Sequence, residues 1–260
     1  MKTHCFMAAS NIGFMFLLLV GIADASEIKV LSGFAMQKVM EDLGPKFERA
    51  TGHKLAITFA SSGAVVKRVQ GGETADVVVI PRQEIDSFVK DGKAAAGNVT
   101  VVARSGMGVA VRKGAPRPDI SSPEALKRTL LAAKSITYGN PAHGSASGIH
   151  FAKVLDLLGI ANEMKSKTVF AKVPDPVAVG GLVANGEAEV AVHQFVELIP
   201  VAGVEIVGPL PGDLQYTIVY SAAIMASAKD AEASKALVNF LRTPEAAAVI
   251  KAKGMEPAAP

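Results

Sequence analysis

The chain has 260 residues, half of them hydrophobic, with 27 basic against 24 acidic side chains and a formal net charge of +3. That length can bury one large core or two modest ones without a covalent staple, and its only cysteine, Cys5, lies at the extreme N-terminus, so disulfides and thiolate chemistry are excluded from the rest. The mild positive balance suits a small anionic ligand but lacks the concentrated basic surface that nucleic acid requires.

Lys2, the apolar stretch 12–22 and the tripeptide Ala23-Asp24-Ala25 have the layout of a secretory signal peptide cleaved after Ala25. The apolar run is shorter than the roughly 20 residues a spanning helix needs. An exported protein starting at Ser26 is therefore expected, with residues 1–25 removed.

From Glu27 onward, short β-branched runs alternate with helical patterns, as in βαβ units. Residues 28–31 read as a first strand. The helix expected over 34–48 has Met36, Val39, Met40, Leu43 and Phe47 on one face at spacings of three and four. A strand over 55–60, a short helix over 64–70 and a strand over 75–80 follow, the last apolar enough to be covered on both sides. Residues 99–111 hold two valine-rich runs separated by Arg104-Ser105-Gly106, where a bend would lead the chain out of one lobe and into another. Ser122, Pro123 and Glu124 have the chemistry of a helix N-cap and first turn, and that helix should reach about Ala133. A strand over 136–138, a helix over 146–158 stopped by Gly159, and a strand over 190–193 make a second lobe. Residues 216–225 form a second long β-like run that carries the chain back. Helices over 230–241 and 244–253 complete it, the latter capped by Thr243 and stopped by Gly254. The expected fold is α/β and two-lobed, each lobe a mostly parallel sheet flanked by helices, with two hinge crossings. Residues 26–104 with 216–260 form lobe 1 and 105–215 form lobe 2, in a monomer.

Three turns combine hydroxyls with glycine where a strand gives way to a helix: Ser61-Ser62-Gly63, Ser32-Gly33-Phe34-Ala35, and the run from His143 through Gly144, Ser145 and Ser147 to Gly148. Unpaired amides, hydroxyl donors and the positive end of a helix dipole meet at such points, which makes each an anion site or, more plainly, an N-cap. Arg82, directly after the 75–80 strand, is either a carboxylate clamp or a solvated arginine. His193 and Gln194 end the second-lobe strand; His193 is a cleft donor, a proton carrier or a buried, satisfied ring. His53, His143, His150 and His193 lack metal-ligand spacing, so no metal is expected. Neither a G-x-S-x-G elbow nor a phosphate loop occurs, and no cofactor is expected.

The run KFERATGHKLAITFASSGAVVKRVQGGETADVVV, followed by Gly139-Asn140-Pro141 and GEAEVAV, resembles the molybdate-type periplasmic substrate-binding proteins of ABC transporters. That resemblance covers nearly the whole mature chain. It implies the type II periplasmic binding-protein fold, a periplasmic location, an ABC permease as partner, and a ligand held between lobes by hydroxyls and amides at helix ends. Ser62, or its neighbour Ser61, matches one oxyanion contact of the family. The family's first-lobe serine falls at Ala35, with Ser32 nearby, and its second-lobe tyrosine falls at about Gln194. Two lost hydroxyls, each worth about 1.5–3 kcal/mol on a charged group, point to an anion other than molybdate. A divergent branch of the scaffold resembles aconitate isomerase, which moves a double bond between trans- and cis-aconitate by proton transfer. On that alternative Arg82 and the serine turns would clamp carboxylates, with His193 as base and His150 behind it.

Overall fold

The structure, a computed structural model, describes residues 25–259 except 174 and 176. The expected signal peptide lies outside the described residues, Ala25 apart. No helix among the described residues is long and apolar enough to cross a membrane.

The chain begins with β1 (Glu27–Gly33), α1 (Gln37–Thr51), β2 (Lys54–Ala60), α2 (Ser62–Gln70), β3 (Val77–Pro81) and α3 (Arg82–Lys90). Residues Phe34–Met36, expected within the first helix, form a separate 3₁₀ turn before α1. Val39, Met40, Leu43 and Phe47 are the buried face of α1, as their spacing predicts. The continuous apolar text of β3 is explained by its cover on both sides. Val77 and Val79 pack with α1, while Val78 and Ile80 pack against Val65 and Val69 of α2 and Ile85 and Phe88 of α3.

β4 (Ala94–Arg112) is one 19-residue strand, not two runs with a bend between them. Arg104-Ser105-Gly106 stays extended because a new partner strand begins where the old one ends. Up to Gly106 the ladder is with β8 (Thr217–Met225); from Met107 it is with β6 (Val190–Gln194) and, from Gly108, also with β7 (Val204–Pro209). At the changeover the Gln215 side chain acts as a substitute strand residue. Its Oε1 accepts from Met107 N at 3.0 Å and its Nε2 donates to Met107 O at 2.9 Å, so the backbone there remains paired.

The second half contains α4 (Pro123–Ala132), β5 (Ile136–Tyr138), α5 (Ala146–Leu157), α6 (Ala161–Lys165), α7 (Ala178–Ala184) and α8 (Phe195–Leu198), the last directly after β6. After β8 come α9 (Ala231–Phe240), α10 (Pro244–Ala252) and the short β9 (Glu256–Pro257). Ser122, Asp230 and Thr243 cap α4, α9 and α10 by accepting from amides of the first turn.

Among the described residues the strand order is β2-β1-β3-β8-β4-β6-β5, with β7 and β9 also on β4. The sheet is mixed where a mostly parallel one was expected. β1–β2, β1–β3 and β5–β6 are parallel, but every pairing of β4 and β8 is antiparallel, because the two long strands run against the βαβ units they connect. One pair of core clusters flanks the β1–β3 end and another the β5–β6 end. The fold is α/β, its two βαβ-containing ends joined by the long antiparallel strands β4 and β8.

Candidate functional site

Between the two ends lies a cleft enclosing about 650 Å³ of space, open mouth included. The three turns singled out in the sequence meet there. Gly33, Phe34 and Ala35 lead into α1, Ser61 and Ser62 open α2, and Ser145 and Ala146 open α5. The first amides of a helix have no intrahelical acceptor; here Gly63 N is taken by Gly144 O, and Ala64 N and Gly148 N are capped by Ser61 Oγ and Ser145 Oγ, so it is the positive ends of these starts rather than a full set of free amides that meet at the cleft. Among the described lining residues there is no lysine or arginine; the ionisable ones are His143, His193, Asp175, Glu197 and Tyr138 with Tyr220.

The two sides touch across the mouth. Gly63 N donates to Gly144 O at 3.2 Å, and Ser61 Oγ donates to His143 O. A Cβ on either glycine would lie 2.8 Å from the Cα of the other, so only glycine permits this backbone approach. Gly144 also has φ +71°, in the left-handed region.

A polar chain crosses the floor. Tyr220 Oη donates to Gln194 Oε1 at 2.8 Å, and Gln194 Nε2 donates to Glu197 Oε2 at 2.9 Å. The same carboxylate oxygen is 2.9 Å from His193 Nδ1 but out of line with a ring N–H, so the two groups are in close contact without a directed hydrogen bond. His193 Nε2 lies 3.3 Å from Ser147 Oγ, which lies 3.1 Å from Ser145 Oγ. Tyr220, Gln194, Glu197, His193 and Ser147 are all at most 8 % exposed, so the network is rigid and largely dry. Burial, and secondarily the charge of Glu197, push the Tyr220 phenol well above its usual range, so it stays a neutral donor. Behind Ser62 stands Glu84, whose Oε1 accepts from Ser62 Oγ at 3.0 Å. Burial raises its carboxyl to about 7 against the opposing effect of that hydrogen bond.

The other sequence candidates divide. Ala35, Ser61, Ser62, Ser145, His193 and Gln194 line the cleft. Ser32 and Ser147 are fully enclosed behind its wall; Ser32 Oγ is spent on carbonyls of Gly33 and Val79. Arg82 is not at the mouth: it opens α3, and its Nε lies along that helix 2.8 Å from Asp86 Oδ1. His150 is also outside, because α5 turns it toward the β8 side. There its Nε2 lies 2.9 Å from Leu214 O and its ring stacks on Tyr216. Sequence reading missed Glu197, Glu84, Asp175 and Tyr220. Glu197 is four residues after His193, a helical spacing hidden by the junction of β6 with the one-turn α8.

Residues 28–256 match the bacterial extracellular solute-binding protein family. An aconitate isomerase of a Pseudomonas species is 33 % identical over 244 residues, 92 % of this chain and 91 % of that protein. The molybdate-binding protein ModA of Escherichia coli K12 is 25 % identical over 235 residues, 90 % of each chain. Among solved structures, the sulfate-binding protein SubI of Mycobacterium tuberculosis H37Rv superposes with a TM-score of 0.73 at 19 % identity, covering 90 % of this chain and 88 % of that one. With the family match spanning both halves and the cleft between them, this chain belongs to the bacterial extracellular solute-binding proteins.

Proposed function

We propose that the chain is an exported, periplasmic binding protein that holds a small organic anion between two lobes, residues 26–104 with 216–260 and residues 105–215, and delivers it to an ABC permease. The observation that carries this reading is the convergence of two α-helix starts and one 3₁₀ turn, donated by both halves, on one cleft without a lysine or arginine in its described lining. Neutral dipoles can hold an anion and still release it, since no fixed countercharge has to be abandoned when the ligand leaves. Molybdate and sulfate are the ligands named for relatives of this fold. Here Ala35 and Gln194 stand where hydroxyl contacts were expected, and Phe34, Val173 and Val179 add apolar wall, which favours a carboxylate with a carbon skeleton. Asp175 and Glu197 favour low ligand charge.

Calorimetry with molybdate, sulfate, citrate and trans-aconitate tests the proposal. Heat is expected from at least one carboxylate, with compaction on binding visible by small-angle scattering. Silence from the whole panel refutes it.

A second reading, isomerisation of aconitate, is favoured by His193 in the cleft wall with Glu197 against its Nδ1, and by the likeness to an aconitate isomerase. Although Glu197 is out of line for a hydrogen bond, its negative charge beside Nδ1 favours the tautomer protonated there, which would leave Nε2 to act as base. Incubation with trans-aconitate in deuterated water decides it: neither cis product nor deuterium uptake would eliminate the reaction.

A further inference from the structure

Glu84 is a carboxyl that the anion-binding reading does not use. It sits behind the cleft wall with Oε1 on Ser62 Oγ at 3.0 Å, while its other oxygen is enclosed and without a partner among the described residues. Its ionisable neighbours are Tyr220 of β8 and Tyr216 just before that strand, whose phenols are raised first by burial and also by the charge of Glu84. On its own helix, Arg82 is turned to Asp86. From α2 the only group facing it is Ser62, and no described cation pairs with it.

The geometry sets up a choice of donor. A carboxylate only accepts, and a serine hydroxyl has a single hydrogen. While Glu84 is ionised, Ser62 must give that hydrogen to Oε1, leaving its lone pairs directed at the cleft. An anion would then meet oxygen lone pairs where a donor is needed. If Glu84 carries a proton, its own O–H can donate to Ser62 Oγ, and the serine hydrogen is released toward the ligand.

We propose that Glu84 is a positioning residue that couples anion capture to the uptake of one solvent proton, by deciding whether Ser62 faces the cleft as donor or as acceptor. This inference rests on the reading of the cleft as an anion site. Chemically, it assigns the site a ligand that is bound together with one H⁺, which also reduces the charge brought in beside Asp175 and Glu197.

The test is titration calorimetry of wild type and Glu84→Gln with trans-aconitate and, separately, molybdate, in buffers of different ionisation enthalpy. In the wild type, close to one proton should be taken up per anion at about pH 8, and affinity should weaken toward about tenfold per pH unit above the Glu84 midpoint. In Glu84→Gln the amide donates to Ser62 Oγ at every pH. That variant should keep the wild type's low-pH affinity at about pH 8 and lose the buffer dependence, while titration of the ligand itself is common to both proteins. An equal pH slope and proton count in the two proteins would overturn the coupling alone. Infrared spectroscopy of ligand-free protein supplies an independent reading: a protonated-carboxyl band present at about pH 6, lost by about pH 8 and absent from Glu84→Gln. No such band overturns the inference even where anions bind. A band with no heat from any anion overturns the anion reading and the coupling with it.

Discussion

Gly63→Ala separates stability from closure, because the two should move in opposite directions. Gly63 is the second residue of α2, and an alanine in a helix is about 0.5–1 kcal/mol better than glycine. Its φ is not in the left-handed region, so no backbone strain offsets that gain. Across the cleft, however, the new Cβ would stand 2.8 Å from Gly144 Cα and 3.2 Å from Gly144 O, short of the 3.4 Å at which ordinary contact begins. Both neighbouring atoms belong to backbone, so neither can swing away as a side chain would. The halves must part, and the Gly63 N to Gly144 O and Ser61 Oγ to His143 O bonds stretch or break. At a net ~0.5–1.5 kcal/mol each, their loss weakens the closed form by about 1–3 kcal/mol, or roughly 5- to 150-fold in ligand dissociation constant. Thermal denaturation of the ligand-free variant should show an unchanged or slightly higher midpoint. Calorimetry with the anion that binds wild type should show the affinity loss, and scattering a reduced compaction. Wild-type affinity together with wild-type compaction would refute the idea that this backbone contact seals the ligand.

Other substitutions probe other links in the same chain of reasoning. His193→Ala should lower any aconitate isomerisation by about 10²–10⁴-fold while changing ligand affinity far less, as measured by deuterium uptake beside calorimetry; an equal loss of both would remove His193 as base. Glu84 is protonated up to about 7 in the folded chain but only near 4.5 when unfolded, so the folded state holds the extra proton between those values. Wild-type stability should accordingly fall as pH rises through that window, by at most about 3 kcal/mol, and urea denaturation of Glu84→Gln should lack this component. Asp76 accepts from Lys29 N and from Lys229 N, both at 2.7 Å, tying β1 to the segment after β8. Asp76→Ala leaves both amides without that acceptor and should cost about 2–5 kcal/mol in urea denaturation without altering the cleft; a loss below about 1 kcal/mol would show that water replaces the carboxylate.

The local elements were legible because each is specified by nearby residues. The 3.6-residue spacing of Val39, Met40, Leu43 and Phe47 identifies the buried face of α1, and Ser122 and Thr243 mark helix starts through hydroxyl caps. The Ser61-Ser62-Gly63 and Ser145-to-Gly148 turns were legible as helix starts, since that too is a short-range property. Residues 104–106 misled because Arg-Ser-Gly lacks strong strand propensity. There the tertiary structure overrode it by supplying β8 on one side of the changeover and β6 on the other.

Sequence alone therefore determined an α/β chain with hydroxyl-bearing helix starts, a family likeness and two long strands able to connect two halves. Which helix starts share a cleft was decided only by the fold, because strands are brought together by pairings of large sequence separation such as Val77↔Ile224. The same is true of side-chain direction. Arg82 turns along its own helix and His150 away from the cleft, while Glu84 is carried behind Ser62, and none of these orientations is encoded in spacing. Burial completes the distinction: a glutamate in the first turn of a helix is an ordinary cap residue until packing removes its water and gives it a serine in exchange.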